Sequence, residues 1–191
     1  DLYGTVLYLD TTKQGNEQIV LLNVETVNDH YLKTGDVLNE VLSLMHTVLF
    51  EPNLDEQGLF QQTIVERERE MVVERIQSIF DDKSRYAQKR LQEILRPNHP
   101  VSTSVNGTVE TVQAVTPASL KEAYEAMLNE DEIDIFVIGD IDEQQMIQSL
   151  KEVFPFSARK PKVAPALPES HATADYTKET FDTRQGKLHI G

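Results

Sequence analysis

Five histidines, a run of alternating acids and bases from Glu66 to Arg75, and the absence of cysteine bound the chemistry open to this 191-residue chain. His30, His46, His99, His171 and His189 include no pair four residues apart, the spacing that sets two imidazoles on one helix face around a metal. Asp29-His30 and Asn98-His99 read as isolated surface groups. His46, between Met45 and Val48, reads as the boundary of a core. Ser43, Ser78, Ser84, Ser102, Ser104 and Ser119 lack the glycine-flanked elbow of a nucleophilic serine. Gly139-Asp140 is too short a signal for a phosphate-binding turn. Without cysteine there is no disulfide framework, thiolate metal site or thiol nucleophile. What remains is Glu68 and Arg75, two helical turns apart and so on one face, with Glu74 turned about 100° away from it. A charge-rich face of this kind reads first as a solvated surface.

The elements that would carry these residues follow from period and punctuation. Thr5–Asp10 and Gln18–Glu25 are rich in β-branched and large apolar residues and predict two strands, joined by a longer polar loop over Thr11–Glu17. Apolar spacing of three and four predicts a helix over Asp36–Phe50, stopped by Pro52, and a longer one from about Asp55 to Phe80. Asp82 is placed to cap the next helix, which Pro97 closes. Pro100–Val115 reads as loop, with a turn at Asn106-Gly107. Thr116-Pro117 opens a further helix. Ile133–Ile138 predicts a strand, and Asp142 with Gln145 predicts the start of a last helix ending near Phe154. Residues 157–185 change in composition, with Pro161, Pro165 and Pro168 and no period, and are expected to be a linker. Residues 186–191 are expected to open a strand of a second, truncated repeat, after a partial α+β domain over 1–156.

Thirty-two acidic against eighteen basic side chains leave a formal charge of -14. That sign repels phosphate backbones and anionic lipid, so neither nucleic acid nor a membrane is an expected partner. No apolar stretch approaches the roughly 18 residues needed to cross a bilayer and no signal peptide opens the chain, so a cytoplasmic location is expected.

The stretch Glu68-Arg-Glu-Met-Val-Val-Glu-Arg-Ile76 resembles the E-K-x-V-V-x-E-E-I helix of the pitrilysin/insulinase metallopeptidase family, which includes mitochondrial processing peptidase. His99-Pro100, Gly107, Val115-Thr116, the Leu120 and Tyr124 spacing, Val137-Ile-Gly-Asp140, Leu150 and Phe154 follow in the family's order. Gln185-Gly-Lys-Leu188 is similar to the opening of its second repeat. Leu2-Tyr-Gly4 and the run from Asp81 to Ala87 resemble a bacterial subgroup of inactive, YfmF-type members.

The resemblance implies an α+β fold, a two-layer sheet with helices packed on one face, with its N-terminal part missing. It implies zinc as the cofactor of active relatives, bound by an H-x-x-E-H helix that would fall at or before Asp1. By the same resemblance the third ligand, a glutamate, falls at Arg75 and its supporting glutamate at Glu68. A guanidinium has no lone pair to offer a metal. A register shifted by one residue would place Glu74 there instead. On the first register the chain is a non-catalytic homologue, with no catalytic residue and no cofactor of its own. Its expected partners are an active metallopeptidase subunit or second repeat, and extended peptides that add to the strand edge at Thr5, Val6, Leu7, Tyr8 and Leu9. Two other readings stand beside it. One is a fragment of an active zinc-dependent endopeptidase; the other is an acidic protein-interaction module.

Overall fold

Thr11, Thr12, Lys13 and Gln14 are polar, yet they belong to a strand. In the computed structural model, which describes residues 4–33, 35–97, 99–160, 176–182 and 184–190, β1 runs Val6–Gln14 and β2 runs Glu17–Glu25. The connection is therefore two residues, Gly15 and Asn16, rather than the longer loop predicted. Gly15 takes φ 59°, the left-handed backbone that a tight hairpin requires. Polarity misled here because a two-stranded ribbon leaves both faces near water, and threonine suits a pleated strand. The sheet order is β1-β2.

The chain divides into two compact units. The first comprises Asp1–Thr11, Val20–Gln61 and Pro117–Val163; the second comprises Thr12–Ile19, Gln62–Thr116 and Ala164–Gly191.

In the first unit, helix α1 spans Val37–Phe50. Its amphipathic spacing buries Val37, Val41 and Leu42. Helix α6, Glu143–Val153, packs against it and contributes Met146, and Phe154 follows at its C-terminus, both buried. Each such side chain contributes roughly 1.5–3 kcal/mol on leaving water. Asp142 caps α6 through the Gln145 N–H at 2.8 Å, as the sequence predicts. Phe156 extends this core, lying 5.3 Å from Phe50 and stacked on Phe154 at 6.1 Å. Helix α5, Pro117–Glu130, is tied to α1 by Tyr124, whose hydroxyl donates to the Leu49 carbonyl and whose ring meets Phe60 edge-on at 5.7 Å.

The long helix expected from Asp55 starts seven residues later. Asp55 instead accepts from the N–H groups of Gln57 and Leu59, both at 2.9 Å, and Leu54 bridges to Phe60 around Gly58. A side-chain carboxylate that satisfies the backbone locally competes with the helix, and the turn wins.

Ile133–Ile138, predicted as a strand, carries no ladder in the structure. Phe136 is 86% exposed and Ile138 98%. A strand exists only against a neighbour, and among the described residues this segment has none.

In the second unit, α2 spans Gln62–Ser78 and α3 spans Lys83–Leu95. Asp82 caps α3 as predicted, accepting from the N–H groups of Ser84 at 3.0 Å and Arg85 at 3.1 Å. The stretch expected to be loop holds a 3₁₀ turn at Pro100–Ser102 and a short helix, α4, at Val109–Gln113. Thr108 and Thr111 cap α4 reciprocally. Helix α4 lies against α2. The Arg69 guanidinium fixes that contact by donating to the carbonyls of Gln113 at 3.2 Å and Val115 at 3.0 Å. Lys13, on the hairpin arm, donates to the carbonyls of Pro100 and Thr103. The middle of the expected linker, residues 161–175, lies outside the described residues, and residues 184–190 carry no ladder.

Candidate functional site

Helix α2 carries the residues that the sequence singles out. It forms because good helix formers fill Gln62–Ser78 and Val65 is buried on its inner face. Glu68, Glu74 and Arg75 all lie on its exposed surface. Glu68 accepts from the Arg67 guanidinium at 3.0 Å. It does not pair with Arg75, although the two share a face. An adjacent arginine reaches the carboxylate without crossing two turns. The Arg75 carbonyl accepts from the Ser78 hydroxyl at 2.9 Å, closing the last turn of the helix.

The zinc that the resemblance implies does not fit these residues. Among the described residues, no group of three or more His, Asp or Glu side chains is gathered where it could hold a metal. Glu68 is engaged by a cation, and Arg75 presents five N–H donors and no acceptor. His30 lies edge-on to Tyr31 at 5.4 Å. His46 lies 4.9 Å from the Phe50 ring, with Glu51 3.5 Å from its Nδ1. His99 spends its Nδ1 accepting the Val101 N–H at 3.2 Å. His171 lies outside the described residues. His30, His46 and His99 thus sit in three different local settings.

The second candidate surface is the outer edge of β1. Val6, Leu7, Tyr8 and Leu9 lie in the strand, and Thr5 precedes it, bonded hydroxyl to hydroxyl with Thr26 at 2.7 Å. Val6, Tyr8 and Leu9 are about half exposed. Among the described residues only β2 pairs with β1, so the other edge offers its N–H and C=O groups.

Sequence reasoning missed one cluster, on α3. Tyr86 and Arg90 together hold Glu179, and Phe181 lies beside Tyr86. The Tyr86–Arg90 spacing of four was a legible signal of a shared helix face. Their partner is distant in sequence and lies in a stretch read as linker.

A family model, described as the peptidase M16 inactive domain, matches residues 114–191. Over its whole length the chain is 33% identical to "Probable inactive metalloprotease YmfF" of Bacillus subtilis (strain 168). The chain is similar to M16 peptidases, the pitrilysin/insulinase type. YmfF stands where the resemblance named a YfmF-type member. The crystal structure of a conserved protein from Enterococcus faecalis V583 superposes with a TM-score of 0.76 at 32% identity, over 84% of this chain and 38% of the other. That of a putative M16-like peptidase from Alicyclobacillus acidocaldarius gives 0.58 at 18% identity, over 84% and 34%, and shares the fold. The chain thus mixes helices with a small antiparallel sheet and has M16-like structural neighbours. It spans 45% of the length of YmfF. No helix among its described residues is long and apolar enough to cross a membrane.

Proposed function

We propose that this chain is a non-catalytic homologue of a zinc metalloendopeptidase that binds extended peptides as partner of an active, zinc-bearing relative or second repeat. One observation carries the reading: Arg75, which the resemblance sets at the family's third metal ligand, presents an exposed guanidinium on α2, which also carries a Glu68 already paired with Arg67. A cation at that position and a paired Glu68 disfavour a divalent ion there, which supports binding rather than hydrolysis as the function.

The edge of β1 supplies the binding mode. A peptide added there gains main-chain hydrogen bonds from a row of unpaired groups, while Val6 and Tyr8 offer apolar contact on one face. The acidic balance favours a basic peptide. Amide exchange tests this directly. In the presence of a binding peptide, protection is expected to rise across residues 5–25. Identical exchange with and without peptide would sink the edge-binding role, and stoichiometric zinc retained by the full-length protein would sink the non-catalytic reading.

A further inference from the structure

We propose that α3 carries a recognition site for an extended segment bearing a carboxylate two residues before an aromatic ring, occupied in cis by Glu179 and Phe181. The inference is independent of the peptide-binding reading above and uses residues of the second unit alone.

The helix side of the site is built from Phe80, Lys83, Tyr86 and Arg90. Their spacings of three, three and four place the last three on one face of α3, with Phe80 at its approach. Arg90 is oriented before any segment arrives, because its Nη1 donates to Glu93 at 2.5 Å within the same helix. Lys89 also reaches Glu93, at 3.6 Å, which holds that carboxylate in place. Tyr86 is steadied by the Phe80 ring at 5.1 Å.

The segment side answers each group. Glu179 gives one oxygen to each donor: Oε2 accepts from the Tyr86 hydroxyl at 2.6 Å and Oε1 from the Arg90 Nε at 2.8 Å. Phe181 meets the Tyr86 ring edge-on at 5.3 Å, and the Lys83 ammonium stands 4.6 Å over its face. Side chains two apart in an extended chain point the same way, so one short segment satisfies both halves. Phe181 is 39% exposed, whereas the other large apolar side chains described beyond residue 175, Tyr176, Leu188 and Ile190, are at least 77% exposed. Among these large apolar side chains, the most shielded is the one that the site receives. The hydrogen bonds hold the Glu179 carboxyl below the usual carboxylate range and push the Tyr86 hydroxyl up, as a shared carboxylate requires.

The ligand class is therefore a peptide of the pattern acid–x–aromatic. Any such segment reaching α3 competes with residues 176–182, which makes release of the tether the consequence of its binding.

The test uses the whole 191-residue chain. Amide exchange over residues 177–182 is measured in the wild type, Glu179→Gln, Arg90→Ala and the double variant, with circular dichroism confirming that α3 persists. Each single change is expected to accelerate exchange at least about tenfold, with the double variant no faster than either single. Unchanged exchange, or strictly additive effects, would overturn the contact. Recognition in trans is read by NMR with the peptide Tyr-Thr-Lys-Glu-Thr-Phe-Asp at a few millimolar, about the effective concentration of a short tether. It is expected to shift Tyr86 and Arg90 signals in the Glu179→Ala/Phe181→Ala chain and to leave them still in the wild type. The absence of shifts in the vacated chain would overturn the recognition site. Equal shifts in both chains would also overturn it.

Discussion

The Asp29 carboxylate, not that of the adjacent Asp36, caps helix α1, accepting from the N–H of Val37 at 2.8 Å and of Leu38 at 3.2 Å. Asp36 occupies the cap position but makes no side-chain cap bond. The helix that holds the core of the first unit is therefore started from a 3₁₀ turn eight residues upstream. Replacing Asp29 by alanine should cost about 1–2 kcal/mol, the usual worth of a charged cap. Asp36→Ala should cost less than half as much. Urea melts of the two variants read the difference directly.

Arg69 should matter more than its neighbours on α2. Its two carbonyl bonds join α2 to the end of α4, and no other residue on α2 makes them. Arg69→Ala should lose about 1–3 kcal/mol, and Arg69→Lys should recover only part, since an ammonium lacks the planar fork. Arg75→Ala, on an exposed surface, should stay within about 0.5 kcal/mol. Thermal melts of the three variants would separate them.

Removal of metal should leave this chain unchanged. With no ligand cluster among the described residues, treatment with a chelator followed by dialysis is expected to leave the melting temperature unaltered. A fall after chelation would mean that a bound ion supports the fold.

The α3 site makes the tether sensitive to acid. The folded-state pKa of Glu179 is depressed by its bonds to Tyr86 and then Arg90. The contribution is thus complete above the ordinary carboxylate range and is lost as pH falls through the depressed value. Lys83, Lys89, Arg90, Glu93 and Tyr86 are the charged or titratable groups around it. Carboxyl ¹³C titration should place Glu179 below free glutamate, and Arg90→Ala should move it back toward the free value.

Helix boundaries were legible wherever a short-range device sets them. Asp82, Asp142 and Thr116-Pro117 each mark a helix start within the residues that make it. Turn chemistry was harder to read. Asp55 looks like a helix opener until its carboxylate is seen closing a turn, and Thr108 with Thr111 forms a capping box whose second member is not acidic. Ile133–Ile138 shows the deeper limit, because its composition specifies a strand while only a neighbour can make one. The Glu179 clamp was hidden for the opposite reason. Eighty-nine residues separate it from Arg90, and no local pattern reports a pairing so distant.

That apolar run also governs how the chain behaves in a tube. Ile135, Phe136, Val137 and Ile138 form a proline-free stretch of high β-propensity, and they sit in water with Asp131, Glu132, Asp134 and Asp140 around them. Those acids are electrostatic gatekeepers against stacking of one molecule on another. Strong salt screens the repulsion, and self-association through this stretch is then the expected outcome, read by light scattering against ionic strength.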